Sequence, residues 1–228
     1  MVVDVPPSTI VVWSDVGCPW AHLAVYRLHE ARRRLGLEEQ LVFEHLAFPL
    51  ELFNDRPTPK NSIEQEAAAL AECEPKAGWR PWSRREWEWP VTTLPALEAV
   101  RAAHRQSARA AERLDRALRV AFFGESRCIS LRHVILKVAA GVDGLEVDAL
   151  AEDLDRGVAR HRMIEEWFRA VADDVSGSPH LFLPDGTDVH NPGIAMHWDG
   201  KPGSGTVVIE KADPTVYDDL VQRAAASG

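Results

Sequence analysis

A cysteine followed by a proline at the head of an apolar helix is the pattern in this chain best suited to chemistry. Cys18 follows the β-branched run Ser8 to Trp13 and the turn-like stretch Ser14-Asp15-Val16-Gly17, and Pro19 then opens a helix. Proline suits the first helical position because its missing N–H has no intrahelical partner to lose. A side chain there meets unpaired backbone N–H groups and the positive end of the helix dipole, which favour a thiolate over a thiol. The sequence therefore predicts an exposed, activated thiolate at residue 18; a small apolar plug at a strand–helix junction is the competing reading. Cys18-Pro19-Trp20-Ala21 has the shape of a Cys-x-x-Cys motif without its second cysteine.

The other two cysteines, Cys73 and Cys128, follow at 55-residue intervals, but their flanks share nothing, so no repeat is implied. Cys128, within Arg127-Cys-Ile129, reads as structural. Cys73 lies between Glu72 and Glu74, whose charge should raise its pKa and leave it inert. His22, on the first turn after the motif, reads as a partly exposed helix residue or as a charge that tunes Cys18. His180, just after Pro179, faces the same cleft or turns away from it. His190 and His197 lack a third ligand and a ligand-type spacing, so no metal site is expected. Four of the eight tryptophans, Trp79, Trp82, Trp87 and Trp89, fall within eleven residues. Such a cluster clamps an irregular loop onto a core, or walls an apolar substrate pocket over the thiol. Arg84-Arg85 in that loop reads as a solvated pair, with reception of a carboxylate as the alternative.

The elements that must position these residues follow from periodicity. Ser8–Trp13 and Leu41–Leu46 read as strands, and Trp20, Leu23, Ala24, Leu28, Ala31 and Leu35 recur at helical spacing before Gly36 ends the helix. Asn61-Ser-Ile-Glu64 has the form of a capping box for a helix through Cys73. A long helix from Leu94 to Phe122, broken once at most, comes next. Three more follow, the first capped by Ser130 and stopped by Gly141. Leu181–Leu183 with the turn Pro184-Asp-Gly186, then Thr206–Glu210, return to strand composition, and Asp213-Pro214 caps a last helix. The order βαβ, helices, ββα predicts an α/β core at residues 1–57 and 173–228. An all-helical insertion at 58–172 splits it, and both ends meet in one sheet.

At 228 residues with 46% hydrophobic content, folding should bury roughly 70% of the unfolded surface without staples. Twenty-six basic against 35 acidic residues, a net charge of -9, argue against nucleic acid or an anionic membrane as partner. No apolar run reaches spanning length, and Met1-Val-Val-Asp-Val-Pro-Pro carries no signal-peptide pattern. Three sparse cysteines suit a reducing cytoplasm rather than a disulfide framework.

Taken together, the strand STIVVWSD, the motif Cys18-Pro-Trp-Ala21, the second strand running into Ala47-Phe-Pro-Leu50, and the segment Thr93 to Phe123 continuing into Gly-Glu-Ser-Arg-Cys-Ile-Ser130 resemble the DsbA family. The loop Val175-Ser-Gly-Ser-Pro179 and the strand HLFLPDG complete the likeness, which is to the cytoplasmic branch with a long helical insertion. The resemblance implies a thioredoxin fold and a cis bond before Pro179, with that proline against the thiol. Ser178 would offer its backbone to an extended substrate, and Gly177 and Trp82 would join the binding surface. Redox members of the family carry a second cysteine where this chain has Ala21. Without it Cys18 could attack a disulfide, but an outside thiol must release the product.

Three functions remain open on this reading. The first is a monothiol thiol–disulfide oxidoreductase using Cys18, with Pro19, Trp20, Ala21 and His22 forming the motif, no cofactor, and a low-molecular-weight thiol as co-substrate. The second is an enzyme resembling the kappa-class glutathione transferases and hydroxychromene-carboxylate isomerases, with Cys18 orienting a bound glutathione sulfur. The third is a redox-inactive binding module. Partners would be a small thiol or disulfide, and pairing of the chain as a homodimer is compatible with each.

Overall fold

A computed structural model describes residues 3–227; Met1 and Val2, the first residues of the start read above for a signal peptide, lie outside the described residues, as does Gly228. Strand β1 (Thr9–Ser14) is buried along its whole length, as its unbroken apolar run requires. Ile10 and Val12 face one side, against helices α1 (Pro19–Leu35) and α9 (Val216–Ala225). Val11 and Trp13 face the other, with Leu46 and Phe48. Helix α1 ends in a left-handed Gly36 (φ 67°), with the Leu37 and Gly36 N–H groups donating to the Arg32 and Arg33 carbonyls. That is the Schellman arrangement the glycine predicts. Strand β2 (Val42–Ala47) then pairs parallel to β1.

Between β2 and the next strand the described residues hold only helices: α2 (Leu50–Phe53), α3 (Lys60–Cys73), α4 (Leu94–His104), α5 (Ala108–Phe123), α6 (Arg132–Ala139), α7 (Val147–Arg156) and α8 (Arg160–Ala172), with two short 3₁₀ turns. The long helix breaks once, at residues 105–107, where Ser107 Oγ accepts from the Ala110 N–H at 3.0 Å and caps α5. Two expected caps do not form. Helix α3 begins at Lys60 with Pro59 before it, and Asn61 donates instead to the Gly203 carbonyl. Ser130 donates to the Thr92 carbonyl at 2.6 Å, so α6 starts behind Leu131; it ends at Ala139, just short of the expected Gly141 stop. In both cases a tertiary partner competes successfully for a side chain whose local spacing favoured a cap.

Strand β3 (His180–Phe182) runs antiparallel to β1 and turns through Gly186 into β4 (Asp188–His190), giving a four-stranded sheet in the order β2-β1-β3-β4. The expected βαβ–ββα order is met, but the second strand of the closing pair is not Thr206–Glu210. That segment lies in β6 (Thr206–Ala212), which pairs with β5 (Ile194–Asp199) in a separate two-stranded sheet. The hairpin rests near the start of α3: a Cβ added to Gly203 would collide with Ser62 Oγ.

The helices are fastened to the sheet along the outer edge of β2. An edge strand leaves alternate N–H and C=O groups unpaired. Here Arg32 donates to the Leu41 carbonyl (2.9 Å), Glu112 accepts from the Phe43 N–H (3.1 Å), Arg101 donates to the His45 carbonyl (2.7 Å) and Glu166 accepts from the Ala47 N–H (2.9 Å). Arg32 pairs with Glu112, and Arg101 with Glu166 at 2.8 Å, so two buried ion pairs stand in for a missing neighbour strand. These bonds to backbone offset part of the cost of burying charge.

Candidate functional site

The turn between β1 and α1 is built around Asp15. One carboxylate oxygen accepts from the Gly17 N–H (2.8 Å); the other accepts from the Leu50 N–H (2.9 Å) and the Thr93 hydroxyl (3.0 Å). Burial raises the pKa of Asp15, and those donors together with Arg119 pull it back down. Gly17 has no room for a side chain, since a Cβ would stand 2.7 Å from Thr93 Cγ2. From α5, the buried Arg119 donates to the Asp15 carbonyl (2.9 Å) and the Ser14 hydroxyl (2.8 Å), and its other donors grip Asp115 at 2.7 and 3.0 Å. Nothing in the sequence pattern singled out Arg119 or Thr93, because each acts on a turn far away in the chain.

Cys18 is the residue just before the helix, with extended backbone (φ -82°, ψ 120°) and Pro19 at the first helical position. The loop 175–179 arrives from the other side, with a cis Ser178–Pro179 bond. Cys18 Sγ donates to the Ser178 carbonyl at 3.1 Å, and Ser178 Oγ accepts from the Asp15 N–H at 2.9 Å. Residues 160 apart in sequence are thus in direct contact.

The expectation of an exposed thiolate is overturned. Cys18 is 3% exposed, and burial pushes its thiol up to about 12; Glu66 and Asp15 push the same way, while hydrogen bonds from Ser178 and Ala21 oppose them. A helix terminus is worth at most about 2 kcal/mol, or roughly 1.5 pKa units, and here desolvation exceeds it. The group is a neutral thiol, consistent with its donating to a carbonyl.

Ala21 is buried, leaving the second motif position without chemistry. Trp20 is half-buried, and its indole donates toward Glu66 of α3. Burial raises the Glu66 carboxyl to about 7, and its charge is one of those that push the Cys18 thiol up. Glu66 carries no signal of its own in the sequence, being one polar residue among several on a helix whose packing direction only the tertiary structure fixes.

His22 is neither partly exposed nor a charge that tunes the thiol. It is 4% exposed, wedged between Trp79 and Phe123 at ring-centroid distances of 4.5 and 4.7 Å, with Nε2 2.9 Å from the Ala77 carbonyl. Burial lowers its pKa to about 3, so the imidazole is neutral and its Nε2–H donates. His180 is structural as well. Its Nδ1 accepts from the Ser176 N–H (3.0 Å) and its Nε2 bonds Asp188, which braces the loop that carries Ser178. Gly177 lies under the His190 ring, where a Cβ would meet Nε2 at 2.7 Å.

The tryptophan loop divides. Trp79, Trp82 and Trp89 close over Phe122 and Phe123, whereas Trp87 is exposed under the Arg85 guanidinium, and Arg84 pairs with Glu88 at 3.5 Å. Trp82 packs edge-on against Trp89 (4.9 Å) and lines a cavity of about 390 Å³ between α3 and α5. Ile63, Trp89 and Phe122 also line a narrow cleft reaching Asp15 and Gly17, so the two hollows share a wall beside the Cys18 turn. All three cysteines are free. Burial, more than its acidic neighbours, raises the pKa of Cys73. Among the described residues no three His, Cys, Asp or Glu side chains converge as metal ligands, and no helix is long and apolar enough to cross a membrane.

A family model described as a DSBA-like thioredoxin domain matches residues 9–202. The chain belongs to this DSBA-like family. Its fold is the thioredoxin fold of that family. Solved structures agree: the cytosolic disulfide reductase DsbM from Pseudomonas aeruginosa with GSH has a TM-score of 0.61 at 15% identity, covering 96% of each chain. A probable DsbA oxidoreductase from Streptomyces coelicolor has a TM-score of 0.63 at 18% identity, over 96% of this chain and 91% of that one. A 2-hydroxychromene-2-carboxylate isomerase has a TM-score of 0.54 at 19% identity, over 78% and 86%. At such identities the likeness is one of fold. No curated protein sequence matches the chain.

Proposed function

We propose that this DSBA-like protein catalyses thiol–disulfide exchange through Cys18 alone, with a low-molecular-weight thiol as co-substrate and no metal. The observation that carries the reading is Cys18 Sγ seated 3.1 Å from the Ser178 carbonyl, with buried Ala21 where an internal resolving thiol would stand. In the resting protein that carbonyl holds the thiol proton. An extended disulfide substrate laid along residues 177–179 competes for the same carbonyl and frees the thiol, whose proton passes to the Glu66 carboxylate. The Cys18 sulfur then attacks one substrate sulfur; the substrate S–S bond breaks, a Cys18–substrate disulfide forms, and the other half leaves as a thiolate. An external thiolate attacks the substrate sulfur of that mixed disulfide and expels Cys18 as a thiolate, which takes its proton back from Glu66. No net oxidation occurs: one disulfide and one thiol are exchanged for another pair.

In this reading residues 58–172 act as an insertion that brings Glu66 and Trp82 to a core formed by 1–57 and 173–228. A reducing cytoplasm, the compartment named for the Pseudomonas aeruginosa reductase, suits a chain with three free thiols.

One observation favours a second reading. A thiol that stays protonated is a hydrogen-bond donor, and the apolar cavity under Trp82 adjoins its turn. Cys18 could then hold the sulfur of a bound glutathione, as in a transferase or isomerase. Cys18→Ser separates the readings. Under exchange chemistry, incubation with glutathione disulfide yields a mixed disulfide in the native protein, and the variant loses both adduct and turnover. Turnover of an apolar electrophile with glutathione that survives in Cys18→Ser would replace the exchange reading with the transferase one.

A further inference from the structure

We propose a second binding site, for an organic phosphate, in the cavity of about 730 Å³ between α1, α5 and α6. It lies at the other end of α1 from the thiol: His29 and Arg32 line it, and they follow Cys18 by 11 and 14 residues, roughly 16–21 Å along the helix. The volume is in the range of small-molecule sites.

Charge selects the ligand class. Six cations and four carboxylates line the cavity of a protein whose overall charge is -9. Two of the carboxylates are committed. Glu112 is held by Arg32 and the Phe43 N–H, and Glu125 lies 3.5 Å from Arg127. The other two, Glu38 and Glu39, are on the turn after α1. Arg109, Arg113 and Arg116 follow one another at four and three residues on α5, one stripe of a helix, and Lys137 faces them from α6. Arg113, Arg116 and Lys137 have no carboxylate within 4 Å among the described residues, and Arg109 is 3.9 Å from the already occupied Glu112. Arg116 is half-buried and makes no hydrogen bond among the described residues, and its burial penalises its charge by more than Glu30, Tyr26 and Glu112 offset. A cation kept in that position without a hydrogen-bonded partner gains most from a ligand that brings one.

A single carboxylate would leave most of this charge unmatched. A phosphate monoester carries nearly two negative charges and three acceptor oxygens that suit guanidinium forks. The floor is apolar, formed by Ala117, Val120, Ala121 and Val138, and Val120 is left 41% exposed there. That floor suits the organic part of the ester. His29 is neutral, its pKa held down by burial and the nearby guanidinium groups, so it adds shape rather than charge.

Isothermal titration of the full chain at low salt with AMP, adenosine, inorganic phosphate and succinate tests the site. AMP is expected to bind one to one with a Kd below about 1 mM, and adenosine, phosphate and succinate each about tenfold or more weakly. Arg116→Gln should weaken AMP about tenfold, and Lys137→Gln severalfold, with thermal melting unchanged because neither side chain has a hydrogen bond or a close ion pair to lose. Absence of AMP binding at about 5 mM, equal binding of phosphate or succinate, or AMP affinity indifferent to both variants would overturn the proposal.

Discussion

The two ends of α1 handle charge in opposite ways. At its first turn the dipole favours an anion, yet the sulfur there is a neutral thiol, buried and capped by the Ser178 carbonyl. In its last turn the dipole favours cations, and Arg32, Arg33 and Arg34 stand there, one paired inside the protein and two outside. Desolvation decides the first end and Coulomb pairing the second. A helix terminus sets a preference worth about 1 kcal/mol, and packing around it determines whether that preference is expressed. The reactive end is therefore one that substrate must open, and the charged end one that a ligand can fill.

Breaking the buried pair at each end should have the largest effects. Arg119→Met leaves Asp115 without its cation, and Glu112→Gln leaves Arg32 without its anion, so each should lose about 3–5 kcal/mol in urea denaturation. The two should differ at the thiol. Arg119 holds the Asp15 carbonyl, and its loss should speed alkylation of Cys18 by iodoacetamide. Glu112→Gln should leave that rate unchanged. A pair of variants with the same alkylation rate would mean that Arg119 does not govern the turn. A smaller loss, about 1–3 kcal/mol, is expected for Gly17→Ala, because the new methyl must displace the Thr93 side chain. Gly36→Ala, at the opposite end, meets no atom within 4 Å and carries only the strain of its left-handed backbone, about 1 kcal/mol.

The thiol itself gives the next contrast. With its pKa near 12, Cys18 should react with iodoacetamide at pH 8 at least about tenfold more slowly than free cysteine, after allowing for the greater nucleophilicity of a more basic thiolate. Alkylation as fast as free cysteine, followed by mass spectrometry of the Cys18 peptide, would show an open site and remove the need for substrate to unmask it.

Much of the scaffold could be read from sequence because its signals are local. Pro19 and Gly36 bound α1, and the apolar run of β1 marks a strand buried on both faces; the long helix was legible as well, though not the Ser107 cap that divides it. Strand β4 escaped because Asp188-Val-His190 carries one apolar residue, and its hydrogen bonds to β3 rather than its composition make it a strand. The meeting of Cys18 with the Pro179 loop came from family resemblance, as no spacing joins segments so far apart, and the hydrogen bond itself falls on the Ser178 carbonyl. Local chemistry gave the thiol's helix position correctly and its ionisation incorrectly. The dipole is visible in sequence, whereas the burial that outweighs it is tertiary: the Ser178 carbonyl lies against the sulfur, and the Glu66 charge from α3 adds to the shift.

Glu66 supplies the smallest effect and the sharpest one in sign. Its carboxyl is raised from 4.5 to about 7, so between those values the unfolded chain ionises while the folded chain keeps its proton. Its stabilising share is complete below about pH 4.5 and lost as pH rises through about 7. His22 works the other way: lowered from 6.5 to about 3, it costs stability as pH falls through that window, because the unfolded chain takes up the proton. Where the windows overlap, between pH 4.5 and 6.5, the two slopes oppose. Glu66→Gln removes one of them, so its stability should climb more steeply with pH there than that of the native chain, as urea midpoints at half-unit pH steps would record. The same variant removes a negative charge beside Cys18 and should speed its alkylation above about pH 8 by roughly threefold or more. A steeper stability profile without faster alkylation would place Glu66 in the fold but not next to the sulfur, and the proton path from Cys18 would then need another acceptor.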